Sequence, residues 1–372
     1  MADKRYKGTV AMIKRAAVIT MVFALCCVAL LAGCMSQSES SASEDAVYTD
    51  PLTGVEAQPT GKRPVGVVIS NSNDVASQYG IASASVVIEA LTEETEPTTL
   101  CLVYPSVDDV PQVGPVAGGK DIYWQLLSGQ QILPVQYGGN AYNANYLDYY
   151  KISPVDVLEA GTKVFFCDDS WSNTPVWYTN GTLISGILGE LNISSTLSQT
   201  KTAIVSTADD GETNISVPAL LPFSANAHRP AFNCDDAASV KISFGTQSST
   251  GFEYDAVNEA YKMLKNDGSK QIDAATGKCP AFKNLLLLYS ASKLRDDDKT
   301  LDYDLSMGGG VWFCEGKMWN ITWAQGSDTT LVFYDADGKQ LSIEPGHSYI
   351  ALVSSTTGQE LAVSNSNGEA VY

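Results

Sequence analysis

Arg63-Pro64-Val65-Gly66-Val67-Val68-Ile69-Ser70-Asn71 opens the folded part of the chain. Pro64 punctuates its start, and the apolar run from Val65 to Ile69 does not alternate with polar residues. A short unbroken run of this kind predicts a strand covered on both faces. Asn71-Ser72-Asn73-Asp74 then reads as a turn or a helix cap. Working outward, Ser85 to Leu91 and Thr98 to Tyr104 give a second and a third strand, joined by the acidic Glu93-Glu94-Thr95-Glu96-Pro97. Helical patterns over 121–127, 142–150 and 182–191 alternate with strand patterns over 131–137 and 163–167. Strands alternating with helices predict a layered α/β domain over 63–205.

Beyond residue 230 the pattern changes. Short strand candidates lie at 240–244, 251–258, 260–265, 285–290, 311–315, 317–323, 329–334 and 348–353. Asn266-Asp267-Gly268 and Asp335-Ala336-Asp337-Gly338 are hairpin signals between them. The expectation is a mostly β domain over 230–356, separated from the first by a linker near 200–235 and followed by a polar, flexible tail over 357–372.

Ahead of the folded part, Lys4, Arg5, Lys7, Lys14 and Arg15 precede an apolar run from Ala16 to Leu31, which ends in Leu31-Ala32-Gly33-Cys34. A basic start, a short hydrophobic stretch and small residues before a cut site mark an export signal over 1–33. The cysteine directly after them is the pattern of a bacterial lipobox. Cys34 is then the lipidation site, a diacylglycerol thioether of the palmitate class, and the mature N-terminus. An uncleaved membrane anchor is the other reading of that run. Both place the body on the extracytoplasmic face of the cell membrane. Residues 34–62, rich in Ser, Glu, Asp, Thr, Gly and Pro, read as a disordered stalk.

The formal charge is −19, and removing the signal's net +4 leaves about −23 for the mature chain. Such a surface repels phosphate backbones and excludes nucleic acid as a partner. The only histidines are His228 and His347, far apart in sequence, and no CxxC occurs, so no metal site and no cofactor are expected. Cys101, Cys167 and Cys314 sit in apolar runs and read as buried thiols. Cys234 and Cys279 are free or paired, a choice that sequence leaves open.

Candidate site residues fall after strands or at helix starts, where α/β sheets place their ligand crevices. Glu89 ends an apolar strand, so its charge needs a partner or serves as a general acid. Gly114-Pro115-Val116-Ala117-Gly118-Gly119-Lys120 precedes a helix, and its glycines serve either an anion or the turn itself. Tyr137-Gly138-Gly139-Asn140, with Tyr142, Asn143, Asn145 and Tyr146, suits a glycan or peptide, or else is a strand-to-helix turn with packed tyrosines. Trp171, Trp177 and Tyr178 form a second aromatic loop, and Asp296-Asp297-Asp298 lacks the glycine and the distal Glu of a calcium loop. No GxSxG setting exists.

Several of these stretches in order resemble the YerB-like bacterial lipoprotein family, built from the N- and C-terminal parts of the DUF3048 domain. They include Arg63 to Asn71, Ala84 to Leu91, Val113-Gly114-Pro115-Val116, Lys262 to Gly268, Asp273 to Lys278, Gly308 to Lys317, Phe333 to Lys339 and Glu344 to Ile350. The resemblance runs from about Arg63 to Ser355. It implies an exported, membrane-tethered protein and brings no activity with it. Where relatives follow Gly-Pro-Val with an Arg-rich stretch, this chain has Ala117-Gly118-Gly119-Lys120, and Ser172 to Thr179 lacks their basic residues.

The reading is therefore a lipid-anchored envelope protein that binds cell-wall glycan or peptide, a small solute or an envelope protein. Its candidate ligand surface is Asn71, Asn73, Glu89, Gly114, Lys120, Tyr137, Gly138, Gly139 and Asn140. No catalytic residue is assigned. The competing readings are a cell-wall hydrolase or transferase with Glu89 as general acid, and an assembly factor without a ligand pocket.

Overall fold

The computed structural model describes residues 48–72, 77–168, 176–200, 203–207, 213–227, 229–230, 234–246, 248–356 and 360–372. Cys34, Asn73, Trp171 and His228 lie outside them, as does the signal. Among the described residues no helix is long and apolar enough to cross a membrane.

Among the described residues, three two-stranded ribbons stand apart, and seventeen strands build two sheets. In the first half they are β1 (Val65–Ser70), β2 (Val86–Ala90), β3 (Thr99–Tyr104), β4 (Leu133–Gln136) and β5 (Val155–Asp156). The second half supplies β6 (Cys234–Asp236), β7 (Ser239–Phe244), β8 (Ser248–Asp255), β9 (Ala260–Leu264), β10 (Ala281–Phe282) and β11 (Asn284–Ser290). It continues with β12 (Met307–Cys314), β13 (Lys317–Gln325), β14 (Leu331–Tyr334), β15 (Gln340–Leu341), β16 (Ser348–Ser354) and β17 (Glu360–Ser364). The helices are short: α1 (Asp121–Leu126), α2 (Ala141–Tyr150), α3 (Val157–Ala160) and α4 (Gly181–Ile187). The chain is mostly strand, and its main sheet is mixed.

That sheet has twelve strands in the order β15-β14-β13-β12-β11-β16-β2-β3-β1-β4-β5, with β6 pairing on β13. It corrects the two-domain expectation, because strands from both halves share one hydrogen-bonded ladder. β16 is buried along its whole length and lies parallel to both neighbours, with Tyr349 opposite Val87 of β2 and opposite Leu285 of β11. Separated, each half would expose the long unpaired edge that sheets avoid. The change of pattern near residue 230 is a change in local structure within one fold.

The remaining strands form a second sheet, β10-β9-β8-β7-β17. It packs on one face of the main sheet, where the rings of Phe252 and Phe282 lie 4.7 and 5.6 Å from that of Tyr349. On the opposite face Trp124 of α1 lies against Gly66, where an added Cβ would come within 3.1 Å of its ring.

Three segments expected to be loose belong to the fold. In the supposed stalk Leu52 is fully buried, and Thr53 accepts the Gly346 N–H at 2.7 Å. In the supposed linker Val217, Leu220 and Leu221 are buried, and Leu220 bonds through its backbone to both Pro51 and Leu331. In the supposed tail β17 pairs with β7 and buries Val363. Each is a polar stretch with one or a few apolar residues, which find cover on a surface formed elsewhere in the chain. Cys101 and Cys314 are buried as expected, whereas Cys167 is exposed on the short ribbon formed by Phe166–Asp168 and Val176–Tyr178. Cys234 and Cys279 are free thiols.

Candidate functional site

Strand alternation turns Glu89 toward the second sheet, on the same face as Val87 and Tyr349. Its carboxyl is fully buried and fully partnered. One oxygen accepts from Asn71 Nδ2 at 2.9 Å and Thr98 Oγ1 at 2.6 Å, the other from Thr250 Oγ1 at 2.8 Å and the Tyr349 hydroxyl. Burial pushes the carboxyl above its ordinary range, and the four donors oppose that shift. Neither a carboxylate nor a histidine is among these partners. With both oxygens engaged, Glu89 acts on its neighbours: it fixes Asn71 at the end of β1 and Thr250 on β8.

Those two residues line a crevice of about 460 Å³ between the halves. Ser72 and Gln78 contribute from the first half, and Ser248, Ser249, Asn266, Asp267, Lys265 and Gln271 from the second. Gln78 donates through Nε2 to Ser70 O at 2.7 Å and Asn71 Oδ1 at 3.2 Å, tightening the first wall. The second wall hangs on Asp273, which sequence reasoning did not single out as functional. Its buried carboxylate accepts the Ala82 N–H at 2.7 Å and the N–H groups of Ala275 and Thr276, while Ala274 N–H donates to Gln78 O. An aspartate two and three residues before backbone donors is an Asx-turn signal, and Asp273 to Lys278 carried it.

The other predicted residues separate. Lys120 pairs with Glu93 at 3.2 Å, both largely buried, in an adjoining cleft of about 340 Å³ that also contains Glu96, Thr98 and Gly118. Ser72 belongs to both clefts. Gly114 serves the turn: its φ is +147°, and a Cβ there would stand 2.7 Å from the Tyr178 ring and 2.8 Å from Trp177 O. Gly138, at φ +60°, donates its N–H to Asp156, and Gly139 packs against the Asn143 amide. Asn140 caps α2 by accepting the Asn143 N–H at 3.0 Å. Tyr137 is exposed, edge-on to Trp177. Asn71 thus lines the crevice, Glu89 lies beneath it and Lys120 lies beside it. Gly114, Gly138, Gly139 and Asn140 build turns. Among the described residues no group of three His, Cys, Asp or Glu side chains is placed to hold a metal ion.

Comparison with known proteins places this geometry in a family. Residues 52–194 match the N-terminal domain, and residues 240–350 the C-terminal domain, of the "Protein of unknown function (DUF3048)". The chain is 27% identical over 356 residues to the "Putative lipoprotein YerB" of Bacillus subtilis (strain 168), covering 94% of this chain and 98% of that one. A crystal structure of the YerB protein from Bacillus subtilis superposes with a TM-score of 0.69 at 23% identity, over 84% of this chain and 99% of that one.

Proposed function

The chain belongs to the DUF3048 family, matching its N-terminal and its C-terminal models, and from that premise we propose a lipoprotein, held by Cys34 on the extracytoplasmic face of the cell membrane, whose seam crevice binds neutral, hydrogen-bonding envelope material. The name of the Bacillus subtilis relative supports the anchor, as does the Leu-Ala-Gly-Cys ending of the export-type run. The observation that carries the binding reading is the crevice wall. Ser248, Asn266 and Gln271 offer hydroxyl and amide groups that donate and accept, while Asn71, Gln78, Ser249 and Thr250, whose donors are engaged within the protein, offer acceptors. Its two charges, Lys265 and Asp267, are of opposite sign. Such a lining suits cell-wall glycan or peptide, or a small polar solute. Saturation of both Glu89 oxygens supports binding without turnover, since a general acid must reach the atom it protonates.

The test uses the full chain in detergent, titrated with purified disaccharide-peptide fragments of peptidoglycan, with products followed by mass spectrometry. Binding weakened about tenfold by Asn266→Ala, with no products, is the expected result. Product formation abolished by Glu89→Gln would replace it with the hydrolase or transferase reading. Absence of binding would remove the crevice from consideration.

A further inference from the structure

A second groove, of about 440 Å³, lies on the helical side of the main sheet. One wall is α2, where Tyr146 and Tyr150 stand one turn apart with ring centroids 4.6 Å from each other. Tyr149 adds a third ring 4.9 Å from Tyr150. Tyr150 is 57% and Tyr149 77% exposed, unusual for rings that have an apolar surface beside them. Trp124, Leu127, Ile132, Pro134 and Ile152 complete the apolar lining.

The facing wall is an extended segment in which every second residue carries a hydroxyl. Ser194, Thr196, Ser198 and Thr200 all line the groove, while Leu197 between them lines a separate cavity. This is strand alternation, fixed by the bridge of Thr196 to Lys62 and by the Leu197 N–H to Gly61 O bond at 2.8 Å. Gln131 ties the row further, accepting from Ser198 Oγ at 3.1 Å and donating to Ser198 O at 2.8 Å. In a chain with 42 acidic residues, no carboxylate among the described residues lines this groove, and its charged side chain, Arg63, is spent on the backbone carbonyls of Gln131 and Ile132.

From this juxtaposition of tyrosine rings and a hydroxyl row, we propose that the groove is a second binding site, for a neutral linear glycan. A pyranose has C–H faces that stack on aromatic rings and hydroxyls around its rim that donate and accept, and the two walls present the matching groups. A proline-rich peptide also stacks on aromatic grooves, but it offers only acceptors and needs donors from the protein. The donors here are engaged, those of Ser194 and Ser198 in the hydroxyl row included, so the row is left mainly with acceptors, which sugar hydroxyls can use and proline carbonyls cannot. Trp124 Nε1 donates to Asn143 at 2.8 Å, the Tyr146 hydroxyl donates to Trp124 O at 3.3 Å, and Arg63 donates to Gln131 O and Ile132 O.

The experiment titrates the full chain in detergent with chitotetraose, with cellotetraose and with a decaproline peptide, by calorimetry. A tetrasaccharide should bind, about tenfold more weakly after Tyr150→Ala and within about twofold after Tyr150→Phe, which keeps the ring. Asn266→Ala, in the seam crevice, should leave this binding unchanged, so that failure here and failure of the crevice reading are distinguishable. Failure of both tetrasaccharides to bind, binding indifferent to Tyr150→Ala, or preference for decaproline would overturn the proposal.

Discussion

The Tyr349 hydroxyl donates to the Glu89 carboxyl across 260 residues of chain. Val87 and Tyr349 are direct neighbours in the ladder, so this bond and the sheet seam are the same place. Thr250 adds the second sheet to the contact. One buried carboxyl therefore couples β2, β16 and β8, and the crevice walls take their positions from it.

That coupling has a pH signature. Burial raises the Glu89 carboxyl above its ordinary value of 4.5, so the folded chain holds the proton more tightly than the unfolded chain does. The resulting stabilisation is fully present below the unfolded value and is lost as pH rises through the folded one. Glu89→Gln removes the titration, while the surrounding hydroxyls can turn to accept from its amide. The stability of Glu89→Gln relative to the natural chain should therefore improve as pH rises above 4.5, by at most about 1.4 kcal/mol per pH unit. Urea unfolding of both proteins across that range measures it, and a pH-independent difference would refute the assignment.

A second lock joins the halves on the helical side. Arg295 lies 2.8 Å from both Asp121 and Asp302, with the Tyr142 ring 4.5 Å from its guanidinium. The side chains of Arg295 and Asp121 are only 10% and 9% exposed. Removing one partner of such a pair leaves a buried charge, at a cost of about 3–5 kcal/mol. Arg295→Met, which strands the Asp121 carboxylate, should approach that loss, Asp121→Asn should cost less because Arg295 keeps Asp302, and the double variant should lose clearly less than their sum. Strict additivity in chemical denaturation would mean that the pair is not coupled.

How much of this was legible follows from the range of each signal. The strands at β1, β2 and β3 were readable because an apolar run is a local property, and the strand-to-helix turn ending at Asn140 because it sits beside its helix. Glu89 was visible as a charge in need of a partner. Its partners were not, because Thr98, Thr250 and Tyr349 are ordinary residues until the sheet brings them together. The parallel pairing of β2 with β16 leaves no local mark at either strand, and the halves were therefore read as two domains. Leu52, Leu220 and Val363 were passed over for the same reason, as lone apolar residues in polar surroundings.

Gly114 was read as a choice between anion site and turn, and the turn makes a quantitative prediction. At φ +147° any other residue is strained, and a Cβ would press on the Tyr178 ring and Trp177 O. Gly114→Ala should cost about 2–3 kcal/mol. Gly118→Ala, four residues on, meets nothing closer than 3.6 Å and should cost less than about 1 kcal/mol. Thermal unfolding of the two variants side by side checks the contrast, and equal effects would contradict it.

The shared sheet makes the strongest prediction about the chain as a whole. Fragments 48–205 and 230–372 follow the boundary that the sequence pattern suggests. The first would end its sheet at β2, whose edge is paired only by β16. The second would lose that contact along β16, from Ser348 to Leu352, and would bury no partner for Tyr349 where Glu89 now sits. It would also lose Asp121 opposite Arg295, and Leu220 and Leu221 would belong to neither fragment. An orphaned buried hydroxyl costs about 1–3 kcal/mol, and unpaired central strands add to that against a domain stability of only about 5–15 kcal/mol. Neither fragment should show the cooperative unfolding transition expected of 48–372, and hydrogen exchange should find β2 and β16 unprotected in isolation. A protected, cooperatively melting 48–205 fragment would establish two independent domains and defeat the single-sheet account.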